Sequence, residues 1–361
     1  MITRIRYKTN IVVIGAGQAG LSAAYHLKKN GLETGKDFII LDEAPRPGGA
    51  WQYRWPSLTL STVNRIHDLP GMTFNDTLAT TDTAVRASVA VPHYYDLYEK
   101  KMGIRVYRPL KVEKVYFHDE RFYIDSPTAL FSSLGIINAT GTWENPYIPE
   151  YPGARLFEGV QLHTKDFKTA DVFKGKHVVV VGAGISAIQL LDQISKVATT
   201  TWVTRRPPEF REGPFDDVAG HRAVAQVEAR VRKGLAPLSV VSVTGLPLSP
   251  EVMDMKKRGV LNPRPMFSEI TRDGVKWADG SEEKADVILW NTGFKSALDH
   301  LKPVLPREEG GGILMAGRLA TMVAKEPRIH LAGYGPSAST IGANRAGAAA
   351  ARELIHTLGI K

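Results

Sequence analysis

The chain has 361 residues, 43% of them hydrophobic and 23% charged, an ordinary globular balance that excludes disordered and collagenous classes and suggests about two domains. It holds no cysteine, which removes disulfides, thiolate metal sites, iron–sulfur clusters and cysteine nucleophiles in one step. Lysine and arginine (46) outnumber aspartate and glutamate (37), for a net charge of +9, a balance suited to nucleic acid or to phosphate-rich small ligands. No apolar run approaches the roughly 18 residues of a membrane span, and the start, MITRIRYKTN, lacks the apolar core of a signal peptide, so a cytoplasmic protein with no membrane span is expected.

Ile11 to Ile14 reads as a strand, Leu21 to Lys29 as a helix closed by Asn30-Gly31, and Phe38 to Leu41 as a second strand. The turn between the first strand and the helix is Gly15-Ala16-Gly17-Gln18-Ala19-Gly20. In this spacing the first glycine permits a tight turn, the second lets backbone approach a pyrophosphate, and the third allows helix and strand to touch. Asp42 and Glu43 follow the second strand, where a carboxylate accepts from ribose hydroxyls. Gly15, Gly17, Gln18, Ala19, Gly20, Asp42 and Glu43 are therefore candidate dinucleotide contacts.

The same grammar recurs. His177 to Val181 is a strand, Gly182-Ala183-Gly184-Ile185-Ser186-Ala187 is the turn with alanine in the third place, and Ile185 to Ile194 is helical. The next strand, Thr201 to Val203, ends in Thr204-Arg205-Arg206 rather than an acid. A guanidinium there pairs with a 2′-phosphate, which favours NADPH over NADH while leaving NADH open. Gly182, Gly184, Ile185, Ser186, Thr204, Arg205 and Arg206 form the second candidate set. The fold class expected is α/β, with two Rossmann-like dinucleotide-binding domains. One nucleotide is held and the other exchanges, and hydride transfer between them is the natural chemistry. Two phosphate-bearing cofactors account for part of the basic balance, so no nucleic acid is needed, and no metal site is expected.

Further motifs carry a family resemblance. Pro47-Gly48-Gly49-Ala50-Trp51, the Trp55 to Met72 stretch, Ala139-Thr140-Gly141 followed by Pro146 and Pro149, and Asn291-Thr292-Gly293-Phe294 are in family order. Phe157-Glu158-Gly159-Val160-Gln161-Leu162-His163-Thr164-Lys165-Asp166-Phe167 fits the fingerprint F-x-G-x-x-x-H-x-x-x-(Y/F). Over nearly its whole length the chain resembles the class B flavin-dependent monooxygenases, and within them the bacterial flavin-containing monooxygenase-like proteins.

The resemblance implies an FAD domain from residues 1–150 and 292–361, with an NAD(P) domain, 151–291, inserted into it and carrying an excursion at about 211–267. It implies FAD and NADPH as cofactors, with contacts from Gly49, Trp51, Val112, Ala139, Thr140, Gly141, His163, Thr292, Gly293, Gly333, Thr340 and Ile341. It further implies a flavin C4a-(hydro)peroxide that oxygenates a small soft nucleophile, amine or sulfide, or a ketone. Substrate and dioxygen are the partners, and a homodimer is left open.

Two departures bear on activity. Ser61 stands where the eukaryotic pattern has an asparagine beside the oxygenated flavin, and Asn64 is the other candidate for that catalytic role. Lys168 follows Phe167 where the ketone-oxidising fingerprint closes with Trp-Pro. The alternatives are an NADPH oxidase or flavin reductase that releases peroxide, and a non-catalytic flavoprotein redox sensor. A disulfide reductase is disfavoured by the missing cysteine.

Overall fold

The computed structural model describes residues 5–63, 66–211, 217–238 and 245–360. Among them are six α-helices: α1 (Gln18–Lys29), α2 (Ala87–Met102), α3 (Ile185–Ile194), α4 (Asp217–Val231), α5 (Pro250–Lys257) and α6 (Thr340–Leu358). None is long and apolar enough to cross a membrane. The chain divides into two units, one of Met1–Glu144, Val224–Leu238 and Ser296–Lys361, the other of Asn145–Ala223 and Ser239–Lys295.

The first unit is built on a seven-stranded sheet with Ile11–Ile14 flanked by the parallel strands Phe38–Leu41 and Gly135–Asn138. All three strands are fully buried, which is why they read as continuous apolar runs rather than alternating ones. Ile14 is in register with Leu41 and with Asn138, so Gly15, Asp42 and Ala139 emerge together at one sheet edge.

One face of this sheet is covered by helices. Ala343, Ala346, Ala350 and Ala351 of α6 join Ala19, Ala23 and Ala24 of α1 in the same core. The approach is close enough that a Cβ on Gly347 would lie 2.7 Å from the Ala19 carbonyl oxygen. Helix α2 contributes Tyr94, Tyr95 and Tyr98. Against the other face, Val115, Phe122, Ile124 and Phe131 of a four-stranded sheet pack on Val12, Ile14, Ile39 and Leu41. Each large side chain so buried contributes about 1.5–3 kcal/mol.

The segment Val224–Leu238 groups with this first unit, although the sequence suggests an excursion of the NAD(P) domain there. Val227 and Val231 of α4 are fully buried, Arg232 donates to the Gly317 carbonyl at 2.8 Å, and Leu235 bridges to Gly311. An amphipathic helix announces a buried face but not the surface that buries it.

The second unit holds a five-stranded parallel sheet, in the order Arg264–Pro265, Thr199–Thr204, His177–Val181, Val287–Trp290, Val160–His163. Val181 and Trp290 are in register at its edge. Phe267, Trp277 and Trp290 fill the core beside it.

Candidate functional site

The two glycine turns repeat one construction. In the first unit the Gly15 amide donates to the Leu41 carbonyl at 2.7 Å and the Ala139 amide to the Ile14 carbonyl at 2.7 Å. In the second, Gly182 donates to Val203 at 2.9 Å and Asn291 to Val181 at 2.7 Å. Gly15 has φ +98° and a Cβ there would lie 2.5 Å from the Ala139 carbonyl oxygen; Gly182 has φ +128° and its Cβ would lie 2.4 Å from that of Asn291. Only glycine satisfies both demands. The tripeptides Ala139-Thr140-Gly141 and Asn291-Thr292-Gly293 are thus the back walls of the two turns.

The other glycines differ in kind. A Cβ on Gly20 would sit 1.9 Å from the Gly15 carbonyl oxygen, whereas a Cβ on Gly17 or Gly184 would meet nothing within 4 Å. Gly17 caps α1 and Gly184 caps α3, both in extended backbone and both without a side-chain cap. Each helix therefore presents its first amides to open space, a surface fitted to a pyrophosphate. Ala19 is buried beside Gly20, Ala187 takes the third place in the second turn, and Ile185 and Ser186 open α3 half-buried.

Gln18 does its work inward. Its Oε1 accepts from the Tyr95 hydroxyl at 2.5 Å, and its Nε2 donates to the His67 carbonyl at 3.2 Å and to Asn344 Oδ1 at 2.9 Å. The side chain braces α1, α2 and α6, leaving the backbone amide as the group it can offer a ligand.

Asp42 is 8% exposed. Its Oδ1 accepts from the Ala44 amide at 3.2 Å, and its Oδ2 receives Arg108 at 3.3 Å. The same guanidinium grips Glu99 through both terminal nitrogens at 2.7 and 2.9 Å. Burial pushes the Asp42 carboxyl above its ordinary range, offset by the Ala44 amide and Arg108. Glu99 is raised by burial as well. Glu43 points to solvent and pairs with Lys111 at 3.1 Å.

Gly49 opens a 3₁₀ turn, Gly49–Tyr53, and its Cβ would lie 3.1 Å from the Gly17 Cα, so this turn sits across the first glycine turn. Trp51 packs partly buried on the helical core. Thr140 donates to the Ala297 carbonyl at 2.7 Å and accepts from Asn138 Nδ2 at 3.0 Å, while His300 Nε2 reaches Asn138 Oδ1 at 2.8 Å. Burial lowers His300 to about 4, so the neutral ring donates to Asn138 and the tripeptide is held by a one-way chain of donors. Gly333 donates to Ser337 Oγ at 2.9 Å, Ser339 caps α6 by accepting from Gly342, and Thr340 and Ile341 begin that helix with Ile341 53% exposed. Val112 packs partly buried on the sheet-side core.

Ser61 is exposed; its Oγ shares a hydrogen bond with Thr59 Oγ1 at 2.8 Å and its amide donates to Thr83 at 3.0 Å. Asn64 lies outside the described residues.

In the second unit His163 is 1% exposed. Its Nδ1 accepts from the Lys165 amide at 3.1 Å, so its Nε2 carries the proton and donates to the Gly293 carbonyl at 2.9 Å. Burial lowers its pKa. With both ring nitrogens engaged, His163 fixes the Asn291-Thr292-Gly293 wall, helped by Thr164, which donates to Asn291 Oδ1 at 2.8 Å. Thr292 donates to the Tyr147 carbonyl. Thr204 ends its strand buried, and Arg205 and Arg206 follow it exposed to solvent.

Arg108, Glu99, Tyr95, Asn344 and His300 support these sites without a motif to announce them. The available signal was Glu99, an acid one helical turn from Tyr95 on the apolar face of α2.

Residues 12–230 match the pyridine nucleotide-disulphide oxidoreductase family, more than half of the chain. The chain belongs to that family. Two solved structures of a flavin monooxygenase from Stenotrophomonas maltophilia, one a double mutant, share its fold at 32% identity, covering 97% of this chain and 99% of theirs with TM-scores of 0.80 and 0.82. An uncharacterised oxidoreductase of Bacillus subtilis is 31% identical over 82% of this chain and 85% of its own. The indole-3-pyruvate monooxygenase YUCCA1 of Oryza sativa is 27% identical over 79% of this chain and 76% of its own. This member of the family is an FAD- and NADP(H)-dependent oxidoreductase of the flavin monooxygenase kind. It has no cysteine, so the dithiol chemistry in the family's name is closed to it.

Proposed function

We propose that this flavoprotein draws electrons from NADPH and uses dioxygen to oxygenate a small organic molecule, either a soft nucleophile (amine or sulfide) or a ketone. The observation that carries this reading is the contrast between two otherwise matched turns. One is followed by the buried Asp42, the other by the exposed Arg205 and Arg206. Bound FAD supplies two-electron acceptance and reaction with dioxygen.

The chain's own residues do the rest. The first amides of α1, opened by Gly17, hold the FAD pyrophosphate, and Asp42 accepts from the ribose hydroxyls. The first amides of α3, opened by Gly184, hold the NADPH pyrophosphate, and Arg205 and Arg206 pair with its 2′-phosphate. With FAD bound, the amide end of α6 would supply partial positive charge to the cofactor. His163 keeps the wall behind the second turn in place without exchanging a proton.

The experiment is to follow NADPH oxidation with isotopically labelled dioxygen over a panel of amines, sulfides and ketones. Label in an organic product supports the reading; label only in peroxide and water overturns it. One observation favours that second outcome, an NADPH oxidase: the Ser61 hydroxyl is short, exposed and shared with Thr59, a poor group for shielding an oxygenated cofactor.

A further inference from the structure

We propose that Tyr95 is the positioning residue of the first unit's cofactor pocket: one chain of hydrogen bonds through its hydroxyl holds the side chains and backbone that surround the amide end of α1. This rests on the reading that the same amide end holds the FAD pyrophosphate.

Helix α2 presents three buried phenols, and they do different work. Tyr94 accepts from the Leu69 amide and donates to the Met72 carbonyl, both at 2.6 Å, and Tyr98 donates to the Pro70 carbonyl at 2.8 Å. Both serve one turn, 69–72. Tyr95, 1% exposed, reaches α1 instead. Its hydroxyl accepts from the Trp51 indole N–H and donates to Gln18 Oε1 at 2.5 Å. An indole only donates, and burial pushes the phenol pKa far above its ordinary value, so that order of donor and acceptor is fixed.

The chain continues from Gln18. Its Nε2 donates to the His67 carbonyl at 3.2 Å and to Asn344 Oδ1 at 2.9 Å, and Asn344 Nδ2 donates to the Asp68 carbonyl at 2.5 Å. One phenol therefore joins the Gly49–Tyr53 turn, the first residue of α1, the 67–68 backbone and the start of α6. The Ser22 hydroxyl separately donates to the Asn344 carbonyl at 2.8 Å, so the bodies of α1 and α6 stay together without Tyr95. What the phenol governs is the groups at their open ends. Without its hydroxyl, Gln18 Oε1 and the Trp51 N–H lose their partner at a buried position, a cost they relieve by turning toward solvent. That rotation draws Nε2 off His67 and Asn344, and the walls beside the first amides of α1 slacken together.

The test compares Tyr95→Phe, Asn344→Ala and the double variant with Tyr98→Phe. The readings are the melting temperature of the FAD-free protein, FAD affinity by fluorescence titration, and the visible absorbance of the bound, oxidised flavin. Tyr95→Phe and Asn344→Ala should each weaken FAD about tenfold, the scale of one or two hydrogen bonds, and shift the flavin bands alike. The double variant should bind no worse than the weaker single one, since both cut one chain. Tyr98→Phe should lower the melting temperature and leave affinity and spectrum as in wild type. Wild-type affinity and spectrum in Tyr95→Phe overturn the proposal whatever its melting temperature, as do additive losses or the same spectral shift in Tyr98→Phe. If Tyr95→Phe does not fold, the half-buried Asn344 carries the test alone, and wild-type affinity and spectrum in Asn344→Ala overturn it. Gly17→Ala keeps the two readings apart. Unchanged FAD affinity there removes the pyrophosphate from α1, whereas FAD weakened there and retained in Tyr95→Phe strikes the role of Tyr95 only.

Discussion

Arg108 donates to Asp42 Oδ2 at 3.3 Å while its other bonds go to Glu99. The acid expected to hold the FAD ribose is thus aimed by a cation that a second buried acid fixes in place. Arg108→Met should leave two buried carboxylates facing each other, a defect of about 3–5 kcal/mol, and weaken FAD binding by tenfold or more. Thermal unfolding and FAD fluorescence titration check both effects. Unchanged FAD affinity would show that Asp42 is not aimed by Arg108.

The glycines of the first turn should separate into two classes. Gly20→Ala and Gly15→Ala drive a methyl into backbone at 1.9 and 2.5 Å, so both should lower the melting temperature of the FAD-free protein by several degrees. Gly17→Ala places its methyl in open space. It should leave the FAD-free protein as stable as wild type and weaken FAD at least tenfold. The second turn should split the same way, Gly182→Ala costing stability and Gly184→Ala costing NADPH affinity.

Arg205 and Arg206 are exposed, so replacing both by alanine should spare the fold. KM for NADPH is expected to rise about ten- to a hundredfold, the scale of losing one or two charge-assisted bonds, with KM for NADH unchanged. Equal changes for both nucleotides would place the 2′-phosphate elsewhere.

Three histidines, His163 and His330 buried and His300 half-buried, set the acid limb of the stability curve. His163, His300 and His330 are lowered by burial, His300 and His330 to about 4 from 6.5. A base depressed in the folded state contributes stability fully above pH 6.5, and that stability is lost as pH falls through about 4. Melting temperature should therefore decline between those two values, and the decline should flatten in His330→Asn. The carboxyls of Asp42 and Glu99 run the other way. Raised by burial, they favour the fold when protonated, and that contribution fades as pH climbs through their folded values.

The glycine turns were legible because their strand–turn–helix spacing is local, although the walls that force Gly15 and Gly182 are Ala139 and Asn291, far away in the chain. Even so, the helix after Gly15 begins at Gln18 rather than Leu21; Gly20, a poor helix former that hides this first turn in the sequence, is kept inside the helix for its contact with Gly15. The Asp42–Arg108 pair was not legible: its partners are 66 residues apart, and neither residue type predicts the other. The docking of Val224–Leu238 on the first unit was hidden for the same reason.

The central claim is tested most directly by stopped-flow absorbance. The FAD-loaded protein is reduced anaerobically with NADPH and mixed with oxygenated buffer while the flavin spectrum is followed. The account predicts a transient absorbance, distinct from both reduced and oxidised flavin, that decays faster when a substrate is present. Direct return to oxidised flavin with stoichiometric peroxide would contradict it and make the protein an oxidase.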